Sequence, residues 1–259
     1  MRILYFDCFS GISGDMTLGA LLDLGLDKEL LLGELKKLNL DGYHIEFSRV
    51  SKNGIEATDV DVILLEDKPC HEENHNHGGA DKHHHEHIHR NLQDIENIID
   101  ASDLADAVKN LSKAMFLKVA QAEAKVHGAT INDIHFHEVG AVDSIVDIVG
   151  TAVCINMLNV DKIVSSPLHD GTGYIKCRHG VIPVPVPATM EILSEHSVPF
   201  YTSSIQNELV TPTGAAIIAT LAEEFGAIPN MIVQKVGYGA GKREMEIPGV
   251  LRTFLGLQE

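Results

Sequence analysis

Residues 134–150, IHFHEVGAVDSIVDIVG, set His135, His137, Glu138, Asp143 and Asp147 into a stretch otherwise dominated by Ile, Val and Gly. In an extended piece alternate side chains share a face, so His135 and His137 point together, Phe136 turns into the core and Glu138 opposes the imidazoles. Beyond Gly140 the spacing becomes helical, and Asp143 and Asp147, four residues apart, occupy one face of a helix whose other positions are apolar. Two carboxylates one turn apart repel, and in apolar surroundings they need a cation or hydrogen-bond donors to compensate lost hydration. Imidazole nitrogen suits Ni, Zn, Co or Fe, and carboxylates add harder oxygen ligands or orient the imidazoles. The group therefore reads as a mixed nitrogen and oxygen metal site with His135, His137, Asp143 and Asp147 as ligands. The competing reading leaves the histidines on a solvated edge and both aspartates on the wet side of the helix.

A second group is FDCFSGISGDM, which puts Asp7 at the end of a strand and Asp15 at the start of a helix, with Gly11 and Gly14 between them. A glycine turn at a helix N-terminus aims N–H groups at an anion, and a neighbouring aspartate can hold the accompanying cation. Ser10, Gly11, Ser13 and Gly14 are the corresponding substrate-binding candidates. The segment matches neither of the common phosphate-loop patterns, and a helix cap by Ser13 or Asp15 explains it equally well. A third group, LHDGTGYIKCRHGVIPVPVPAT, sets His169, Asp170, Cys177 and His179 among glycines and prolines. His179 joins the substrate-binding set, and a cysteine nucleophile at Cys177 lacks any sign of an oxyanion hole. In NELVTPTGAA, Thr211, Thr213 and Gly214 either cap a helix or face a ligand. Asp7, Asp15, His135, His137, Glu138 and Asp143 make up the candidate catalytic set, which also leaves open a metal-dependent phosphoesterase.

These groups need a scaffold, and the composition supplies one. With 259 residues and 44% hydrophobic side chains the chain can bury a substantial core. A formal charge of −17 repels nucleic acid and anionic membranes and favours cations as partners. MRILYFDCFSG shows no charged n-region followed by a long apolar h-region, and no apolar run reaches membrane-spanning length, so a soluble cytoplasmic protein is expected. Cys8, Cys70, Cys154 and Cys177 lie far apart, which argues for reduced thiols. RILYFD, CFSGISGD and MTLGALLDLG read as strand, loop and helix; YHIEFSRV and GIEATDVDVILLE form a hairpin around Asn53–Gly54. Helices follow over 91–127, closed by Gly128, and over 142–158. DKIVSSPL is a strand, PVPVPATMEIL a rigid connector into a helix, TPTGAAIIATLAEEFG a helix, and MIVQKVGYGAG a strand running into a glycine loop.

Residues 67–90 differ, with eight histidines and few apolar residues, which predicts a flexible loop. His83, His84, His85 and His87 there offer weak metal ligands. The expected fold is α/β, a mixed sheet with flanking helices, with residues 1–66 and 91–259 forming the body on either side of that loop.

The ordered motifs FDCFSGISGDMTLGALLDLG, HFHEVGAVDSIVDIVG, SPLHDGTGYIKCRHGVIPVPVPAT, ELVTPTGAAI and VGYGAG, with the histidine-rich stretch between, resemble the nickel insertion family of LarC type nearly end to end. The resemblance implies an enzyme of the lyase class, dependent on CTP with Mg(II) or Mn(II). It would place Ni(II) into pyridinium-3,5-bisthiocarboxylic acid mononucleotide through one carbon–nickel and two sulfur–nickel bonds. The product would be the nickel-pincer cofactor of lactate racemase-type enzymes. The resemblance also makes this chain an amino-terminal portion, completed by a C-terminal partner domain or split-frame product and forming an oligomer. A nickel-binding chaperone or storage module without catalysis is the alternative that the histidine-rich loop suggests.

Overall fold

The computed structural model describes residues 1–65, 90–136, 141–177 and 180–258, His135 by its backbone alone. The histidine-rich segment, apart from Arg90, lies outside the described residues. The chain runs β1 (Arg2–Asp7), α1 (Gly14–Asp23), α2 (Lys28–Lys36), β2 (Tyr43–Lys52) and β3 (Ile55–Leu64). After the undescribed segment come β4 (Arg90–Asn91), α3 (Leu92–Ala101), α4 (Asp106–His127), β5 (His135–Phe136), α5 (Val142–Leu158), β6 (Lys162–Ser165) and β7 (Leu168–Asp170). The remainder is β8 (Gly173–Cys177), β9 (Gly180–Val184), α6 (Pro187–Glu195), β10 (Phe200–Thr202), α7 (Pro212–Leu221), β11 (Glu224–Phe225), β12 (Ile232–Ala240) and β13 (Val250–Leu257). Among the described residues no helix is long and apolar enough to cross a membrane.

Seven strands form a mixed sheet in the order β11-β6-β1-β13-β12-β3-β2, so strands from both sides of the histidine-rich segment share one sheet. Alternation sorts its faces. Leu4 and Phe6 of β1, Val60 of β3, and Leu251 and Leu255 of β13 pack with the helices in the main core. Ile3, Tyr5 and Val164 form a smaller cluster on the opposite face with Met231 and Phe254. The expected hairpin turns at Asn53 (φ 51°) and Gly54 (φ 83°), the left-handed pair that matches strand twist.

Three local expectations need correction. Helix α7 stops at Leu221, because Glu224–Phe225 is drawn beside β6 as an edge strand, with Glu224 opposite Val164. The proline connector is in part strand: Gly180–Val184 pairs with β8, and Pro183 is tolerated because this two-stranded ribbon has a free edge. The C-terminal LRTFLGL, given no role from sequence, is a central strand between β1 and β12.

Helix α1 rests on this sheet through backbone. A Cβ on Gly239 would lie 1.8 Å from the Met16 carbonyl oxygen, and one on Gly19 would lie 2.5 Å from that of Thr58. At the far end of α1, Asp23 accepts from the Tyr238 N–H (2.9 Å) and the Thr58 hydroxyl (3.0 Å) and pairs with Arg49. The loop preceding α1 is pinned in turn. Ile12 N–H donates to the Leu209 carbonyl at 2.9 Å, and Thr211 N–H donates back to Ile12 at 3.1 Å. Gly11 (φ 83°) and Gly214 make this possible, since their Cβ atoms would fall 2.1 Å from Leu209 O and 2.2 Å from Ile12 O.

The Leu209–Val210 segment is itself held by fully buried Asp170, whose Oδ1 accepts from Gly171 (2.7 Å), Leu209 (2.8 Å) and Val210 (3.2 Å). Burial pushes the Asp170 carboxyl up, and the three backbone donors partly offset that shift.

Two substitutions test this scaffold by denaturant unfolding. Gly239→Ala should cost about 2–3 kcal/mol, because a methyl cannot share space with the Met16 carbonyl. Asp170→Ala should cost about 3 kcal/mol by leaving three N–H groups without their acceptor. Unfolding midpoints equal to the parent chain would refute either account.

Candidate cation and substrate site

Ser13 takes the N-cap position of α1 with extended backbone, yet its side chain makes no cap bond. Its hydroxyl instead donates to Asp15 Oδ1, and the Thr17 hydroxyl bonds back to the Ser13 carbonyl at 2.7 Å. Ser13 thus holds the N-cap position without a side-chain cap bond, while the Asp15 carboxylate accepts from the first-turn N–H of Met16. Ser13 is engaged because Asp15 is half-buried beside a second acid. Gly14 sits on the side chain of Asp147: a Cβ at position 14 would lie 2.5 Å from Asp147 Oδ2. Only a residue without a side chain lets the start of α1 approach α5 this closely.

The charge of Asp15 raises the proton affinity of Asp147. Burial pushes Asp147 well above the usual carboxylate range, and the charges of Asp15 and Asp143 push it further, with Lys242 opposing. Asp15 is raised chiefly by burial, which hydrogen bonds from Ser13 and the Met16 backbone oppose. Lys242 is the nearby cation, but its Nζ is held by Asp59 (2.6 Å) and Asp61 (2.9 Å). The notch is consequently short of positive charge. Thr151, one turn beyond Asp147 on α5, is buried with its hydroxyl unpartnered.

The structure thus brings Ser13, Gly14, Asp15 and Asp147 together, with Asp143 exposed one turn earlier on α5. It also joins the two glycine segments proposed for substrate, Ser10–Gly14 and Thr211–Gly214, through the Ile12 contacts. Ser10 is buried with an unpartnered hydroxyl. Thr211 is a helix cap, accepting from Gly214 N–H at 3.1 Å, and Thr213 is buried just behind it.

Asp7 stands apart. Its Oδ2 receives Arg252 Nε (2.9 Å) and Nη2 (2.5 Å), so its cation is a guanidinium. His137, Glu138 and His179 lie outside the described residues, as do His83, His84, His85 and His87; of His135 the backbone alone is described, paired with Asn91. Among the described residues no group of three or more His, Cys, Asp or Glu side chains converges closely enough to hold a metal. The mixed ligand set proposed from sequence is therefore represented here by its carboxylates. Lys242 and Thr151 were absent from the sequence-based site. Lys242 directly follows the VGYGAG glycine run, which was the available signal; Thr151 continues the four-residue spacing of Asp143 and Asp147.

A family model described as "Nickel insertion protein" matches residues 4–259. Among curated relatives, the pyridinium-3,5-bisthiocarboxylic acid mononucleotide nickel insertion protein of Acetivibrio thermocellus is 57% identical over 256 residues, covering 99% of this chain and 60% of the relative. Proteins of the same name from Clostridium kluyveri and Clostridium acetobutylicum are 54% and 52% identical, each covering all of this chain and 63% and 65% of the relative. The chain therefore spans about three-fifths of the length of the relatives it matches. No solved structure matches it. A match over essentially the whole chain, with identity above one half, places this protein in the nickel insertion family.

Proposed function

We propose that this chain takes part in inserting nickel into pyridinium-3,5-bisthiocarboxylic acid mononucleotide, with the Asp15–Asp147 notch receiving the cation. The observation carrying this is the contact of Gly14 with Asp147, which holds two mutually repelling acids side by side with their nearest cation engaged elsewhere. A divalent ion relieves both the repulsion and the lost hydration. Nickel is the cargo of the reaction, so its holding site must also release it. Ni(II) stands high in the divalent affinity order, and carboxylates bind it less tightly than the sulfur donors that take it over.

Forming the carbon–nickel bond replaces the hydrogen on that ring carbon, and the proton needs an acceptor. A carboxylate whose affinity for protons is raised by burial is a better base than an ordinary one. Asp147 suits this role, and Asp15 suits holding the metal with the Ser13 hydroxyl steadying it. The interlocked Ser10–Gly14 and Thr211–Gly214 segments lie beside the notch and suit the sugar phosphate. His135, His137 and Glu138, which precede α5 in sequence, remain the proposed nitrogen ligands and third acid of the same site. In this reading CTP with Mg(II) or Mn(II), a C-terminal partner and oligomer assembly complete a lyase-class reaction in the cytoplasm, supplying lactate racemase-type enzymes.

Asp147→Asn should stabilise the chain without metal at neutral pH while removing its response to nickel. Because the Asp147 pKa is raised on folding, the folded chain binds the extra proton. The stability this gives is present below the ordinary carboxylate value of about 4 and is lost as pH rises through the raised value. The midpoint of thermal unfolding in the parent should therefore fall over that window relative to Asp147→Asn. At pH 7 the variant should exceed the parent by about 2–4 °C, and added nickel should raise the parent alone. A variant that melts lower than the parent and still responds to nickel would sink the cation notch.

The activity itself is checked by mixing the chain, alone and with the C-terminal part of a relative, with nickel, CTP, Mg(II) and the mononucleotide. A new nickel-bound chromophore is expected in the complete mixture, with Asp147→Asn slower by about 100-fold or more. No chromophore in either mixture would refute the insertion reading.

A further inference from the structure

Strand β7 pairs in parallel with β10, which sets His169 directly opposite Tyr201. Their rings stack with centroids 4.6 Å apart and planes inclined by 12°. His169 is itself fixed. A carbonyl oxygen can only accept, so the bond between His169 Nδ1 and the Phe9 carbonyl requires Nδ1 to carry the proton. That carbonyl belongs to the loop that continues into Ser10 and Gly11, which ties the aromatic pair to the proposed phosphate segment. Two further observations concern the polar groups at this junction. Nε2 of His169 is buried without a hydrogen-bond partner, as is the hydroxyl of neighbouring Ser10. Tyr201, with one face covered by imidazole, is nonetheless 51% exposed.

We propose that Tyr201 is the platform on which the planar, positively charged pyridinium ring of the mononucleotide stacks, an assignment that rests on the nickel-insertion reading above. An electron-rich phenol ring attracts a cationic ring to its face, and a ring already braced on its other side loses little freedom when the ligand arrives. The sugar phosphate then extends from the shelf toward Ser10–Gly14, because Phe9 joins the two. Among the described residues no other exposed aromatic is braced in this way: Tyr174 is 74% exposed on the β8–β9 ribbon, and no described ring stacks on it.

Binding to the full chain without nickel tests this, using pyridinium-3,5-bisthiocarboxylic acid mononucleotide and, as a ligand lacking the ring, ribose 5-phosphate, each followed by calorimetric titration. Tyr201→Leu should weaken the mononucleotide about tenfold or more and leave ribose 5-phosphate unchanged. Tyr201→Phe should bind the mononucleotide within about twofold of the parent, because the ring rather than the hydroxyl is the platform. Tyr174→Leu serves as the control and should match the parent. The platform is overturned if Tyr201→Leu binds the mononucleotide as the parent does, if Tyr201→Phe falls as far as Tyr201→Leu, or if the parent binds both ligands equally. The two readings fail separately. Normal binding by Tyr201→Leu alongside intact nickel insertion removes the shelf alone, whereas ring-dependent binding with no nickel product removes the insertion.

Discussion

At Gly239 the carbonyl of Met16 lies where a side chain would begin, and helix α1 consequently rests on β12 with no side chain between them. Gly19 repeats the arrangement against β3. Backbone contact of this kind leaves little play, because neither partner has a rotamer to change. The N-terminus of α1 is thereby set against α5, and Gly14 meets Asp147. Every charged group in the notch inherits its position from that docking. The same economy recurs in the loop before α1, where Gly11 and Gly214 let two segments exchange backbone hydrogen bonds that bulkier residues would block.

What the scaffold holds in place is an unfavourable pair. Asp15 and Asp147 stand together in a setting that disfavours their charged forms, and Lys242 is committed to Asp59 and Asp61. A fold retains such a conflict only where the surrounding structure over-determines it, as the glycine contacts do here. In the proposed site, cation affinity and proton affinity are two expressions of one local deficit of positive charge. Asp7 shows the contrast. It too is an aspartate close to the glycine loop, at the end of β1, yet Arg252 satisfies it twice over, and Arg252 packs between the rings of Phe9 and Phe254. An acid with a built-in guanidinium holds the sheet together, while one without such a partner is available for chemistry.

The aromatic pair and the buried aspartate of β7 divide the work of one short strand. Alternation sends Asp170 inward, where it ties down Leu209 and Val210, and His169 outward, where it carries Tyr201. Three of the four buried side-chain polar atoms without partners among the described residues, those of Ser10, His169 and Asp170, belong to this strand and the adjoining loop. That concentration lies close to the segments proposed for the sugar phosphate.

Periodicity and turn chemistry were legible in the residues themselves: the hairpin at Asn53–Gly54, the helix beginning at Val142, the left-handed glycine closing α4 at Gly128 and the mixed α/β class. The four-residue spacing of Asp143 and Asp147 was equally plain, since local geometry depends on neighbours in the chain. Which of the two meets the opposing helix was not, because Asp143 and Asp147 differ only in what α1 brings against them. Asp7 and Asp15 flank one loop and look alike in sequence; Arg252, 245 residues from Asp7, separates their roles. Strand β13 mixes Arg252, Thr253 and Gly256 with its apolar residues, so its place at the centre of the sheet follows from its partners rather than its own pattern. Local propensity is written in adjacent residues, but the charge balance of an acid depends on everything within a few ångströms of it, and the tertiary structure alone assembles those neighbours.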